Sequence, residues 1–455
     1  MTDPTLPAKP RQRRPRLGLS LRAMMVLVLV VGGAIGWKAN RASRQRQAVA
    51  TLERAGASIG YDYEYANGKW LSNGLHPAPA WVRRLLGDEC FQEVTSVMFT
   101  KPVTADALAA LERLDHLQYL DLSSARVAPA DFARLGRLAG LRELTLSPFG
   151  TGDAELASLA GLAGLENLRL FQTNVTDAGL AHLRGMAGLR KLELGLTKVT
   201  DAGLVHLEKL TRLEELRLPD TCGTDAGLAH LRGLRKLQVL SLNGIDCAVS
   251  DAGVAHLAGM TGLRELSFGG RGLTDAGMAV IGDLTRLEEL EIRPTFSAGN
   301  KGALSVTEAG FARLEKLTSL SKLTFNAFGM TDAWLAHLGG LSRLRKLQLL
   351  GLGVTDAGLA HLSPLTGLER LSIAAPRVTA AGLAHLRGMI GLKSLGLVTR
   401  VGDEDLAAFK ATMPALKFTT STRWEGGVPG EGPAEGSPHR LAPIPPPPPA
   451  PPPPY

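Results

Sequence analysis

A 24-residue period constrains this chain more than any other feature of it. Val175 to Lys198 reads VTDAGLAHLRGMAGLRKLELGLTK, and at Val199-Thr200-Asp201-Ala202-Gly203-Leu204 the pattern begins again. An LxxLxL core starts at Val94, Leu117, Leu141, Leu165, Leu189, Leu213, Leu237, Leu263, Leu287, Leu320, Leu344, Leu368 and Leu392. The steps are of 24 residues except for one of 23, one of 26 and one of 33. A shortened copy at Leu416-Lys417-Phe418 reads as a terminal cap. Self-similarity at this spacing implies a solenoid, because one short unit cannot bury its own apolar face and must stack on its neighbours.

Each unit carries two periodicities. In Leu189-Arg190-Lys191-Leu192-Glu193-Leu194 apolar and polar residues alternate, the pattern of a half-buried strand. Thr176 then occupies a helix N-cap, and Asp177 lies in the first turn, where a carboxylate favours the positive end of the helix dipole. Leu180, Leu183 and Met186 follow at spacings of three and share one helix face. The Thr/Ser-Asp/Glu pair recurs through Thr355-Asp356. The expected architecture is α/β, with parallel strands about 4.8 Å apart on the concave face of a horseshoe and short helices on the convex face.

On these repeats the stretch from about Val94 to Phe418 resembles the leucine-rich repeat family. The TDAGLxxL form is similar to the cysteine-containing subtype of F-box substrate receptors, and the layout is similar to that of bacterial membrane-anchored leucine-rich repeat proteins. The first resemblance implies an intracellular ubiquitin-ligase adaptor. The chain departs from it: the repeats mostly lack the subtype's cysteines, and residues 1–93 offer an apolar segment where an F-box should be.

The net charge of +8 is not spread along the chain. Residues 1–46 hold ten basic residues and the single acid Asp3, so the remaining chain carries 41 basic residues against 42 acidic ones. The basicity belongs to an N-terminal address, residues 1–22, and not to the array, which argues against a nucleic-acid partner. Behind it Ala23 to Trp37 is apolar and flanked by positive charge. As a helix those 15 residues span about 22 Å, short of the roughly 30 Å hydrocarbon core. Starting at Leu17 gives 21 residues with one charge, Arg22, near enough to the end to snorkel. Residues 17–37 are therefore expected to be a signal anchor, with a cleaved signal peptide and a secreted array as the alternative. Six basic residues precede the run and four follow it, which places the N-terminus in the cytoplasm and the array outside it.

Residues 39–93 do not fit the repeat and read as an N-terminal cap. Gln47 to Arg54 continues a helix, Ser58 to Tyr65 alternates like a strand, Asn67-Gly68 supplies a turn, and Trp70, Pro77, Pro79 and Trp81 lead into a short helix. Residues 419–455 lose the apolar period and end in proline runs, a disordered polyproline II spacer.

Candidate chemistry is sparse. Seven of the ten histidines (182, 206, 230, 256, 337, 361, 385) share one repeat position, which suggests a metal ladder. That position points away from the Leu180/Leu183 face, and no HExxH or recurring ligand partner accompanies it, so no metal is expected. Gly56-Ala57-Ser58-Ile59-Gly60 matches a hydrolase nucleophile elbow with Ser58 as nucleophile. That motif needs a strand before it and a helix after it, the reverse of the order here. Cys222 and Cys247 fall in adjacent strand-to-helix loops, as a disulfide or as separate thiols. No enzymatic activity, cofactor or small-molecule substrate is expected.

The concave strand positions are the expected binding surface for a protein or peptide. They include Tyr119, Arg169, Lys191, Glu193, Glu215 and Arg217, and further along Glu289, Glu291 and Arg293. Read in chain order both signs alternate, so neighbouring rungs can neutralise one another across the sheet. One irregularity adds aromatics. Trp334 stands where eight copies place Gly, at 179, 203, 227, 253, 277, 310, 358 and 382; the preceding copy is the one of 33 residues, and Phe296 and Phe328 are expected at the same edge. The insertion Pro294 to Ser305 is expected beside Trp334, either covering it or leaving it as an exposed anchor.

Overall fold

The computed structural model describes residues 21–62, 65–66, 69–70, 83, 87, 90–146, 148, 150–218, 223–243, 248–294, 296–297, 300–301, 304–327 and 329–421. The basic segment before Leu21, the prolines and Trp81 of the cap, Cys222, Cys247, Phe328 and the proline-rich tail lie outside the described residues. The chain forms two compact units, the first ending at Leu120 and the second beginning at Asp121.

The first unit is built on one helix, Leu21–Arg54, of 34 residues. Its two halves differ in what they touch. Met24 to Val31 are 47–72% exposed, an apolar stretch with none of the described residues covering it. Past Trp37 the helix turns amphipathic: Ala42, Gln45, Ala48 and Leu52 are buried at helical spacing. Arg41 pairs with Glu93 at 2.6 Å and Asp115 at 3.2 Å, and Gln45 Nε2 donates to the Gln92 carbonyl at 2.9 Å. The strand Ala57–Tyr61 then runs antiparallel to Val94–Phe99, with Ile59 opposite Val97. The strand is shorter than the stretch to Tyr65 expected from alternation, and a separate two-residue hairpin, Tyr65–Ala66 with Lys69–Trp70, follows it.

The second unit is a solenoid of the expected α/β kind. Among its described residues twelve strands, from Glu143–Thr145 to Lys417–Ser421, lie side by side in strict chain order. All of these pairings are parallel and keep one register: Leu168 faces Leu192, Leu192 faces Leu216, and Lys322 faces Lys346. In the repeat from Leu189 the side chains of Leu189, Leu192, Leu194, Val199, Leu204, Leu207 and Leu210 are all 3% exposed or less. Leu180, Leu183 and Met186 are fully buried, so the helix face read from their spacing is the one that meets the core. Helices are brief, as in Asp177–Leu180 continued by a 3-10 turn, Ala181–Gly185. A helix this short is marginal alone and holds its shape through packing.

The caps do more than end the helices. Thr176 Oγ1 accepts from the Ala178 amide at 3.3 Å, the expected N-cap bond. Asp177, expected to act on its own helix dipole, reaches into the next repeat instead, accepting from Thr200 N and Thr200 Oγ1 at 2.7 Å each. The same pair of bonds links Asp153 to Thr176, Asp225 to Ser250, Asp251 to Thr274, Asp275 to Thr307, Asp332 to Thr355 and Asp356 to Thr379. Asp201 and Thr224 complete the set. These are charge-assisted bonds, and they couple each helix start to its neighbour. They also account for the glycine two residues after the aspartate: a methyl built on Gly203 would overlap the Asp177 carboxylate.

The ladder breaks once. Glu308 stands in place of the aspartate and turns to His337 Nε2 at 3.3 Å, and Thr331 receives no such bond. With the carboxylate gone, the next repeat holds Trp334 where glycine is otherwise required. Trp334 is 6% exposed and packs on Phe311 and Phe325, ring centroids 5.2 and 6.3 Å away. It is a core residue, which removes it from the candidate anchors. Phe311 belongs to the 33-residue repeat. Its insertion forms the hairpin Phe296–Ser297 with Asn300–Lys301 and then returns onto the preceding repeat, Ser305 N donating to the Leu273 carbonyl at 2.9 Å.

Candidate functional site: the strand face of the second unit

Because strand side chains alternate and all strands share one register, outward residues form rows across the sheet. The register places Lys191, Glu215, Val239, Glu265, Glu289, Lys322, Lys346 and Arg370 in one row. A second row, two residues on, runs Arg169, Glu193, Arg217, Ser241, Ser267, Glu291, Thr324, Gln348, Ser372. Tyr119 lies on the strand Tyr119–Asp121, where the first unit ends. Arg293 follows Glu291 on the same strand; the backbone of Phe296 lies in the inserted hairpin.

Sorting by row changes the electrostatic picture. At the first rungs the signs do alternate and neutralise: Arg169 with Glu193 at 3.9 Å, Lys191 with Glu215 at 3.2 Å, and Arg217 with Glu215 at 2.6 Å and Glu265 at 3.0 Å. Burial pushes the Glu215 carboxyl up. The hydrogen bonds and charges of Arg217 and Lys191 outweigh burial and leave it below the ordinary carboxylate range. Beyond Arg217 the signs segregate. Glu265, Glu289 and Glu291 line one groove of about 180 Å³ together with Arg217 and Lys322. Glu291 is largely covered, and it is bonded by Arg293 at 2.9 Å and Asn243 at 3.1 Å.

A second groove, of about 150 Å³, is bounded by Lys322, Lys346, Arg370 and Arg293, with Glu291 as its one carboxylate. Its floor is Thr324, Gln348 and Ser372, each less than 7% exposed. Gln348 Nε2 and Ser372 Oγ have no hydrogen-bond partner among the described residues. Lys322 reaches Glu289 at 3.3 Å and Glu291 at 4.0 Å, whereas Lys346 makes no ion pair among the described residues. Lys322, Lys346 and Arg370 are concave strand positions by their place in the repeat, and the sequence does not set them apart from the other charges of that face. The floor residues were missed, since a Gln and a Ser a repeat apart carry no signal until register aligns them.

The histidine position lies on the helix side and is half-buried or exposed. Two of its members bond sideways to carboxylates of the preceding repeat: His230 Nδ1 to Glu208 at 2.7 Å, and His337 Nδ1 to Glu315 at 2.5 Å. The Glu315 hydrogen bond, with help from Glu308 and against burial, raises His337 above the usual imidazole value. Among the described residues no group of three His, Cys, Asp or Glu is placed to hold a metal. Ser58 lies in a strand that follows a helix, the opposite of the elbow arrangement.

No known family profile matches the chain, and no curated protein does. Solved structures do. An internalin from Listeria monocytogenes superposes with a TM-score of 0.53 at 19% identity, covering 73% of this chain and 87% of that one. A leucine-rich repeat protein from Leptospira interrogans has a TM-score of 0.40 at 14% identity, over 70% of this chain and 92% of its own. The PEPR1–AtPEP1 complex has a TM-score of 0.39 at 17% identity, over 82% of this chain and 54% of that chain. The fold of the second unit is the α/β leucine-rich repeat solenoid.

Proposed function

We propose that this chain is a membrane-tethered, non-enzymatic scaffold that binds a protein or peptide on the strand face of its repeat array. What supports the reading is one observation above the rest: the two grooves of that face have opposite excess charge and lie next to each other. A surface that only neutralises itself has no reason to sort its signs, whereas sorted signs orient a partner and reject wrong ones. The mixture also disfavours an extended polyanion, which would meet Glu265, Glu289 and Glu291 wherever it left the cations.

The tether is the helix Leu21–Arg54. Among the described residues it is the one helix long and apolar enough to cross a membrane, and Met24 to Val31 have no protein covering them. It runs on without a break into the cap, through Ala42, Gln45, Ala48 and Leu52. The excess of basic residues before the apolar run favours a cytoplasmic N-terminus with the array on the other side.

The test is a random peptide library selected against the full chain in lipid nanodiscs. Binders are then retested on Arg217→Glu and Lys346→Glu, which alter the strand face, and on Arg184→Glu, on the helix side. Enriched peptides should lose affinity for one or both of the first two variants and keep it for the third. Peptides sensitive to Arg184→Glu alone would remove the strand face from the reading. Protease protection of the array in sealed membranes, with the chain's mass before and after, separates an anchored from a cleaved form.

A further inference from the structure

Resting on that reading, we infer that the groove over Thr324, Gln348 and Ser372 is a carboxylate-binding subsite, and that the partner presents a short acidic peptide segment to it. Lys322, Lys346 and Arg370 occupy the same position on three consecutive strands. Successive strands are about 4.8 Å apart, so the row is about 10 Å long, the reach of three residues of extended peptide. Three like charges side by side repel one another, a cost that a sheet selected only for stability removes by alternating sign, as it does between Lys191 and Glu215. Of the three, Lys346 has no carboxylate within ion-pair distance among the described residues, and it is exposed.

The floor is the independent observation. Gln348 is 6% exposed and Ser372 4%, and the Nε2 of one and the Oγ of the other have no partner among the described residues. Buried polar atoms left unpaired are costly, and structures seldom retain them without a ligand or water to satisfy them. Both groups donate hydrogen bonds, and so do the lysines and arginine above them; apart from Glu291, which Arg293 and Asn243 hold, the charged and floor groups of the groove are donors, which suits an oxyanion. Carboxylate and phosphate share that chemistry. The row is elongated and open at its ends rather than closed around one ion, which favours carboxylates spaced along a chain. The adjoining groove with Glu265, Glu289 and Glu291 limits the acidic stretch to about three residues and suits a neutral or basic flank.

The probe is fluorescein-labelled hexaglutamate, titrated by anisotropy against the full chain in a non-ionic detergent at low salt, where surface charge is least screened. Hexaglutamate should bind and hexalysine should not bind at this groove. Lys346→Glu should weaken hexaglutamate by about tenfold and the milder Lys346→Gln by a smaller factor. Lys209→Glu, the same charge change on the helix side, should leave it within about twofold. Lys346 is exposed, so both its variants are expected to fold, and their circular dichroism should match the parent. Absence of hexaglutamate binding, an unchanged Lys346→Glu, or an equal loss in Lys209→Glu would each overturn the subsite. Displacement of the peptide by inorganic phosphate at equal concentration would also overturn it, by identifying an ion site instead. Peptides from the library that depend on Arg217 while hexaglutamate fails would end this inference and leave the strand-face reading standing.

Discussion

The aspartate ladder makes a prediction whose sign depends on the background in which it is measured. Gly203 lies in the first turn of its helix, and a methyl there would overlap Asp177 Oδ1 while coming within 3.0 Å of Cγ and 3.1 Å of Cα. Gly203→Ala therefore forces the carboxylate to rotate and surrender its bonds from Thr200 N and Thr200 Oγ1. Hydrogen bonds to charged groups contribute about 1.5–3 kcal/mol each, and these are solvent-exposed, so about 2–3 kcal/mol for the pair is a fair figure. Alanine returns about 1 kcal/mol of helix propensity, leaving a net loss of about 1–2 kcal/mol. Asp177→Ala alone should cost about 2–3 kcal/mol. In the double variant the carboxylate is gone and only the close approach to the residue 177 Cα at 3.1 Å remains, which offsets part of the propensity gain, so adding Gly203→Ala to Asp177→Ala should stabilise by less than about 1 kcal/mol. A long repeat array need not unfold in one step, so the readout is local: amide hydrogen exchange over the helix start at Thr200 to Leu204. Gly203→Ala should speed that exchange by about five- to thirtyfold in the parent and slow it in Asp177→Ala. Destabilisation of the same size in both backgrounds would refute the steric account of the glycine.

Two further outcomes follow from the broken rung. Trp334→Ala should cost about 3–5 kcal/mol, since it opens a cavity beside Phe311 and Phe325 in a packed core; a loss below about 1 kcal/mol in thermal denaturation would contradict the packing described. His337 has its value raised by Glu315 and Glu308, so its charged form is favoured in the folded state. That stabilisation is fully present below the unfolded value of about 6.5 and is lost as pH rises through the raised folded value. The stability difference between the parent and His337→Gln should accordingly shrink from mildly acidic to alkaline pH, and a difference that grows in that direction would reject the assignment.

How much of this was legible in the chain differs from feature to feature. Leu180, Leu183 and Met186 could be assigned to the core from spacing alone, because each repeat has only one way to hide them and twelve neighbours repeat the choice. The role of Asp177 could not, since a first-turn carboxylate suits its own helix and the residue it actually bonds, Thr200, is a repeat away. Trp334 shows the same limit from the other side. Glu308 in place of aspartate was visible, but its consequence, room for an indole, required knowing that the aspartate reaches across to the glycine. The charge pattern failed for a geometric reason: strand residues two apart belong to different rows, so chain order interleaves rows that the sheet keeps separate. Lys322, Lys346 and Arg370 become one feature only when the register is known.

Site-specific photo-crosslinking in living cells of the native host tests the central claim, binding on the strand face, most directly. A photoreactive residue is placed in turn at Glu193, Arg217 and Lys346 on the strand face, and at Arg184, Lys209 and Arg313 on the helix side. The account predicts a discrete protein adduct from strand-face positions and none from the helix side. Adducts confined to Arg184, Lys209 and Arg313 would contradict it.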